Sequence, residues 1–409
     1  MIKKLSKNII IYGGTNAIKS LVPVLMLPIL TKYLSANDFG ILSLVESTIL
    51  FVTPFILLNI NAAINVEYFK VGHQRLKDFI TNALVLSFMA FFIIFFLVYL
   101  FRASLSSFLE IDSPLFLWIV VFALLRVVGS VVLGIYQSKQ KVGHFSAFTL
   151  LQTLIDFSLS YLFVVFYAFG YMGRLGGIYI AYFIFFLVGL YLLYKMDYLT
   201  KITFKYSKNI LHFGIPLIPH AVSGTIIAMS DRYFISYFIG NDQVGYYTIA
   251  YQIAALMLLV SISVNQAWSP MLFGLLKKRH IRKAYQITLY LLILFCFVAV
   301  SIFMLRDTLF FIFVDEKFYA AKAYFPWLLI GFLFQSFYFL ATNFLFFEKR
   351  TKLLAMITII GATINIVLND ILIQSFGVVG VAYATAITWG LLFIGVSIVT
   401  MRVLKRFNG

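Results

Sequence analysis

The sequence predicts an all-α integral membrane protein, with twelve transmembrane helices in two six-helix lobes related by a parallel pseudo-two-fold repeat around a central cavity. Three observations predict it. Of 409 residues, 62% are hydrophobic and only 11% are charged, a balance that a water-facing surface cannot carry without aggregating. Apolar runs of about 20 residues, the length that crosses a hydrocarbon core about 30 Å thick, recur to the end of the chain; a membrane barrel would show alternating runs of about ten. The second half of the chain also rewrites the first: Lys7-Asn8-Ile9-Ile10-Ile11-Tyr12-Gly13 returns as Lys208-Asn209-Ile210-Leu211-His212-Phe213-Gly214, 201 residues later.

In order, the spans fall at 8–30, 40–64, 79–101, 114–136, 146–170, 176–194, 209–230, 244–268, 286–305, 323–347, 353–374 and 377–401, with the seventh open to extension past Asp231 to Phe238. The first carries Lys19, Pro23 and Pro28 and lacks a small-residue cleavage site, so it reads as a retained helix. The repeat continues beyond it. Asn37-Asp38-Phe39-Gly40 returns as Asn241-Asp242-Gln243-Val244-Gly245, Gly177-Ile178-Tyr179 as Gly380-Val381-Ala382, and Trp118 as Trp327, at offsets between 203 and 209. Six spans per half make both halves enter in the same direction, which puts the repeat axis along the membrane normal. The lobes are expected at 1–197 and 198–409.

Orientation follows from the cations. Alternate loops and the two termini hold 23 Lys and Arg, the other side 7, and Lys19 and Arg126 lie inside spans. Both termini are therefore expected in the cytoplasm. Placed this way, the net charge of +17 is topogenic and does not point to nucleic acid. The single cysteine, Cys296, excludes an internal disulfide or a cysteine-based metal site. No cluster has metal-ligand spacing and no serine sits in a nucleophile elbow. Every loop is shorter than 20 residues, so function is expected within or between helices, without a cofactor.

An intramembrane charge costs about 2.5–3.5 kcal/mol on insertion scales, so each needs a wet cavity or a partner. Asn16, Lys19, Ser20 and Pro23 share one face of span one, and Ser43, Glu46 and Ser47 one face of span two. In span seven His212, Pro216, Pro219, His220 and Ser223 share a side, with Asp231 and Arg232 beyond them. The repeat sets Lys19 opposite His220, Arg126 opposite Gln335 and Asp156 opposite Asn365. Two readings stay open. In one, Lys19, Arg126 and Arg232 hold an anionic group in transit, most simply a phosphate, with Tyr247 and Gln252 of span eight as further substrate contacts and Tyr246 and Tyr251 offering ring faces to sugars. Glu46, Asp156, His220, Asp231 and Asp370 are then the candidates for ion coupling, His220 because its ordinary pKa lies near 6.5. In the other, the charges pair internally: Lys19 with Glu46, Arg126 with Asp156, and Asp231 with Arg232. Prolines 23, 28, 216 and 219 weaken spans one and seven at matching ends, as a helix that bends during transport requires.

The stretches Leu27-Pro28-Ile29-Leu30, Leu34-Ser35-Ala36-Asn37-Asp38-Phe39-Gly40, Phe213-Gly214-Ile215-Pro216, Ser230-Asp231-Arg232-Tyr233-Phe234-Ile235 and Val244-Gly245-Tyr246-Tyr247 resemble the Wzx polysaccharide biosynthesis flippases of the multidrug/oligosaccharidyl-lipid/polysaccharide (MOP) superfamily, which also holds the MATE transporters. The resemblance covers essentially the whole chain. It implies spans one, two, seven and eight around a central cavity, and movement of undecaprenyl-pyrophosphate-linked O-antigen or capsule units from the cytoplasmic to the periplasmic leaflet of a bacterial inner membrane. It implies coupling to H+ or Na+ by antiport, with the bilayer, the lipid-linked glycan and the polysaccharide polymerase and chain-length machinery as partners. The competing readings are a MATE-like drug or cation antiporter and a membrane polysaccharide polymerase. The polymerase would carry a large periplasmic loop, which this chain lacks.

Overall fold

In the computed structural model, which describes residues 2–68, 72–109, 111–348 and 350–405, every regular element is helical. Hydrocarbon offers no hydrogen-bond partners, so apolar runs of this length satisfy their backbone internally. Eleven described helices are long and apolar enough to cross a membrane. The last, Thr351–Lys405, is broken at Gly377, whose φ of 59° only glycine adopts readily. Counting its two arms separately gives the twelve spans expected.

The spans break where the sequence signals were weakest. Span two runs as Ala36–Leu57 and Ile60–Tyr68, interrupted by Leu58 and Asn59 at φ 48° and 51°. Span five ends in a π-turn, Leu162–Phe166, and span six begins early, as Gly170–Lys195. Span seven extends to Phe238 and contains a 3-10 turn, Ile215–Leu217, at Pro216. Span eight is Asn241–Ala254 followed by Leu256–Lys277. Helices before three polar loops close alike. The N–H groups of Lys139, Gln140 and Lys141 reach the carbonyls of Ile135, Gln137 and Tyr136, and the same pattern recurs at 196–198 and 278–280. These are Schellman-type caps, with Gln140, Asp197 and Arg279 in the left-handed position.

Contacts divide the chain into two compact units, residues 1–22 with 41–225 and residues 23–40 with 226–409. The lobes drawn from the sequence follow chain order; the units share out spans one and seven, changing at Val22/Pro23 and Thr225/Ile226.

In the first unit, span four (Ser113–Ser138) is among the most buried, with Val120, Ala123, Val128, Val131 and Val132 fully enclosed. In the second, span ten (Phe325–Phe347) has the same place, and spans three and nine are the least buried of the described spans. Matched glycines also do matched work. A Cβ on Gly177 would lie 2.5 Å from the Ser160 backbone nitrogen, and one on Gly380 would lie 2.0 Å from the Leu372 carbonyl oxygen. Within the second unit, Gly40 abuts the Asn241 carbonyl and Gly245 abuts the Ala36 carbonyl. The repeated Asn37–Gly40 and Asn241–Gly245 stretches therefore pack on each other reciprocally.

Candidate functional site

A polar cavity of about 160 Å³ lies inside the first unit. Span one supplies Lys19, span two Asn61, span four Arg126, span five Gln152 and span six Tyr182. Local structure decides which polar groups remain available. The nearby hydroxyls of Thr53 and Ser130 bond to carbonyls of their own helices, at 2.6 Å each. Asn61 sits on the turn beyond the Leu58–Asn59 break, and its Oδ1 is buried without a partner. Gln152 is buried in the wall. Among the described residues, neither Lys19 nor Arg126 makes an ion pair or a side-chain hydrogen bond. Two uncompensated cations in one small pocket repel each other, and at membrane depth each is costly. An anion entering there relieves both terms. A compact ammonium and a planar guanidinium beside an amide suit phosphoryl oxygens in particular.

The internal pairs expected from the sequence do not form here. Asp156 is bonded to Arg174, Nη1 to Oδ1 at 2.5 Å, not to Arg126. Ser160 joins both, accepting from Arg174 at 2.6 Å and donating to Asp156 at 3.2 Å. The sequence counted Arg174 as a loop cation because span six was expected to start at Gly176; the helix starts at Gly170, and Arg174 is buried in it. Lys19 likewise does not pair with Glu46, which is half-buried on span two. Asp156 is thus a member of a satisfied structural pair.

In the second unit, Asp231 is fully buried at the centre of a network from spans seven, eight, eleven and twelve. Its carboxylate accepts from the Tyr247 hydroxyl, from Thr385 Oγ1 at 2.9 Å and from Asn369 Nδ2 at 3.3 Å. Ser230 Oγ donates to Asn365 Oδ1 at 2.7 Å, and Asn365 Nδ2 donates to Thr388. Asn369 Oδ1 is buried with no partner. Arg232 donates to the Ala228 carbonyl at 3.1 Å and stacks 4.4 Å from the Tyr251 ring centre. At 3% exposure Arg232 is packed inside the unit, and Tyr247 is fully enclosed, so neither forms a cavity wall as expected. Tyr246 and Tyr251 pack edge-on with Phe318 and Phe332, and the Arg232 guanidinium covers the Tyr251 ring. Gln252 has a buried, unpartnered Oε1. Asp370 is exposed on its helix. The side chain of His220 lies outside the described residues.

The sequence profile of the polysaccharide biosynthesis protein family matches residues 5–276, two thirds of the chain. The chain belongs to that family. The MatE profile matches residues 216–371 of this polysaccharide biosynthesis protein. A protein of the Lsg locus of Haemophilus influenzae is 21% identical over 375 residues, covering 89% of this chain and 90% of its own. Two solved structures share the fold. The inward-facing conformation of a multidrug resistance MATE family transporter of the MOP superfamily aligns with a TM-score of 0.76 at 14% identity, covering 96% of this chain and 99% of its own. The lipid II flippase MurJ, in an inward closed conformation, aligns at 0.77 and 15%, covering 98% and 92%. At 14% and 15% identity, these two likenesses show a shared fold.

In this family member, sequence reasoning selected Lys19 and Arg126 and missed Asn61, Gln152, Arg174 and Asn369. A signal for Arg174 existed in Gly170-Tyr171-Met172-Gly173, which reads as a loop but is the first helical turn. Asn61 stands between Asn59 and Asn65, and Gln152 between Thr149 and Thr153; only their convergence on one cavity distinguishes them. The described residues contain no group of three or more His, Cys, Asp or Glu side chains able to hold a metal ion.

Proposed function

We propose that this protein carries a lipid-linked oligosaccharide across a bacterial inner membrane, from the cytoplasmic to the periplasmic leaflet, by alternating access. One observation carries the reading: Lys19 and Arg126 share a cavity with no counter-charge among the described residues. The space, about 160 Å³, is smaller than the 300–1,000 Å³ typical of pockets for whole ligands. It suits a phosphoryl head, with the glycan and the prenyl tail held elsewhere. Undecaprenyl pyrophosphate, bearing an O-antigen or capsule unit, has the required chemistry, and the polymerase machinery would receive it. Both termini are then cytoplasmic, in keeping with the cation count. Asp231 is the coupling group in this scheme: it is a fully buried carboxylate with an unpartnered amide oxygen, Asn369 Oδ1, beside it. A proton or Na+ bound there offsets its charge.

The deciding experiment is surface polysaccharide production in a deletion strain complemented with Lys19→Ala or Arg126→Ala. Normal insertion with loss of product, and build-up of the lipid-linked precursor, supports the reading; full surface product in both variants refutes it. The MatE match supports a second reading, drug or cation antiport. That reading requires the deletion to raise sensitivity to cationic drugs while polysaccharide is unaffected.

A further inference from the structure

A second cavity, about 830 Å³, lies wholly within the second unit, between span nine (Ile281–Met304), span ten and the last arm of span twelve. Its composition is graded. Leu289, Leu292, Phe337 and Phe393 make an apolar trough along span nine, which is among the least buried spans and so faces lipid. Arg279 and Arg282 close one end.

Four features mark that end as built for an anion. Neither arginine has an ion-pair or hydrogen-bond partner among the described residues, and both are exposed. Arg282 stands in the first turn of span nine, a 24-residue helix with no acidic residue there. A cation at a helix N-terminus opposes the macrodipole, and an anion bound beside it reverses the sign of that interaction. Thr400, a buried residue of the cavity lining, has a hydroxyl with no hydrogen-bond partner. The turn carrying Arg279 is also fixed, because the N–H groups of Lys278, Arg279 and His280 are all bonded back to the preceding helix.

We propose that this groove binds one anionic phospholipid from the leaflet on the side of the 277–283 loop, with its phosphate on Arg279 and Arg282 and one acyl chain along Leu289, Leu292 and Phe393. Cationic rim and apolar trough match the two parts of such a lipid and of no soluble anion. The groove shares no residue with the Lys19 cavity, so the lipid is a resident of the transporter and not its cargo. The inference stands whether or not the transport reading does.

The test uses the full-length protein in nanodiscs and native mass spectrometry, comparing phosphatidylglycerol with phosphatidylcholine. The expected result is one retained phosphatidylglycerol and a higher melting temperature in phosphatidylglycerol than in phosphatidylcholine. Replacing each arginine should weaken retention roughly fivefold, the effect of about one basic residue at an anionic surface, so Arg279→Gln/Arg282→Gln should abolish the preference. Ser397→Trp, which fills the trough, should do the same. Lys277→Gln/Lys278→Gln, an equal charge loss away from the lining, should keep it. Equal retention of the two lipids, retention unchanged in Arg279→Gln/Arg282→Gln, displacement by glycerol phosphate alone, or stronger retention of a polyprenyl phosphate each overturns the proposal. Polysaccharide export is scored separately on the same variants, so failure of this site and failure of the transport reading are told apart.

Discussion

Arg174 Nη1 lies 2.5 Å from Asp156 Oδ1, and both side chains are mostly buried. That contact assigns the carboxylate of span five to its neighbour on span six and leaves Arg126, one helix away, for the polar cavity. Removing one member of such a pair strands a charge in low dielectric, which costs about 3–5 kcal/mol, whereas removing both is far milder. Asp156→Asn or Arg174→Gln should therefore lower the melting temperature of the purified protein sharply. The double variant Asp156→Asn/Arg174→Gln should recover much of the loss. A double variant less stable than either single one would contradict the structural role.

Lys19 and Arg126 should behave in the opposite way. Neither supports an ion pair among the described residues and each is costly at membrane depth, so Lys19→Gln and Arg126→Gln should leave thermal stability unchanged or raise it. Each should reduce transport by roughly 10- to 100-fold, the effect of losing a charged hydrogen bond of about 1.5–3 kcal/mol. Because both act on one bound anion, their effects should be non-additive in a double-mutant cycle. Additive losses would place them on separate events.

Glycine substitutions test the repeat. A Cβ on Gly40 would lie 1.9 Å from the Asn241 carbonyl oxygen, and one on Gly245 would lie 2.1 Å from that of Ala36. The obstructing atoms are backbone, so Gly40→Ala and Gly245→Ala should each destabilise by at least the 1–3 kcal/mol of ordinary overpacking. Gly224, also on a described helix, has nothing within 4 Å of the added atom, and Gly224→Ala should be neutral or slightly stabilising. Melting curves of the three variants decide the matter.

Asp231→Asn keeps the shape of the network but removes its charge. The amide oxygen still accepts from Tyr247 and Thr385, and the new NH2 can donate to Asn369 Oδ1, which is otherwise unpartnered, so the variant should fold. Under the coupling proposal it should carry substrate without responding to an imposed proton or Na+ gradient. A gradient response equal to the parent's in proteoliposomes would remove Asp231 from coupling.

Fold class was legible because it rests on sums over many residues: apolar runs, loop cations and a repeated phrase need no single contact to be right. Span boundaries were less so. The Leu58–Asn59 break is written in residues with no special turn propensity beyond asparagine. The start of span six at Gly170 was hidden by glycines that the tertiary structure uses for close helix approach, as at Gly173 and Gly177.

The candidate site was half legible. Charge inside a span marks Lys19, Arg126, Asp156 and Asp231 as exceptional whatever surrounds them, because the cost of insertion is a property of the residue. Which of these charges is neutralised is a property of neighbours. Asp156 meets Arg174, Asp231 meets Tyr247, Thr385 and Asn369, and Arg232 is folded over Tyr251. Lys19 and Arg126 meet only each other's cavity. Composition and periodicity thus determined a repeated helical membrane protein with buried charge, since hydrophobicity and cation placement act locally and add along the chain. Only tertiary structure separated the paired charges from the unpaired ones, because Coulomb and hydrogen-bond terms depend on distances of a few ångströms between residues up to 154 positions apart.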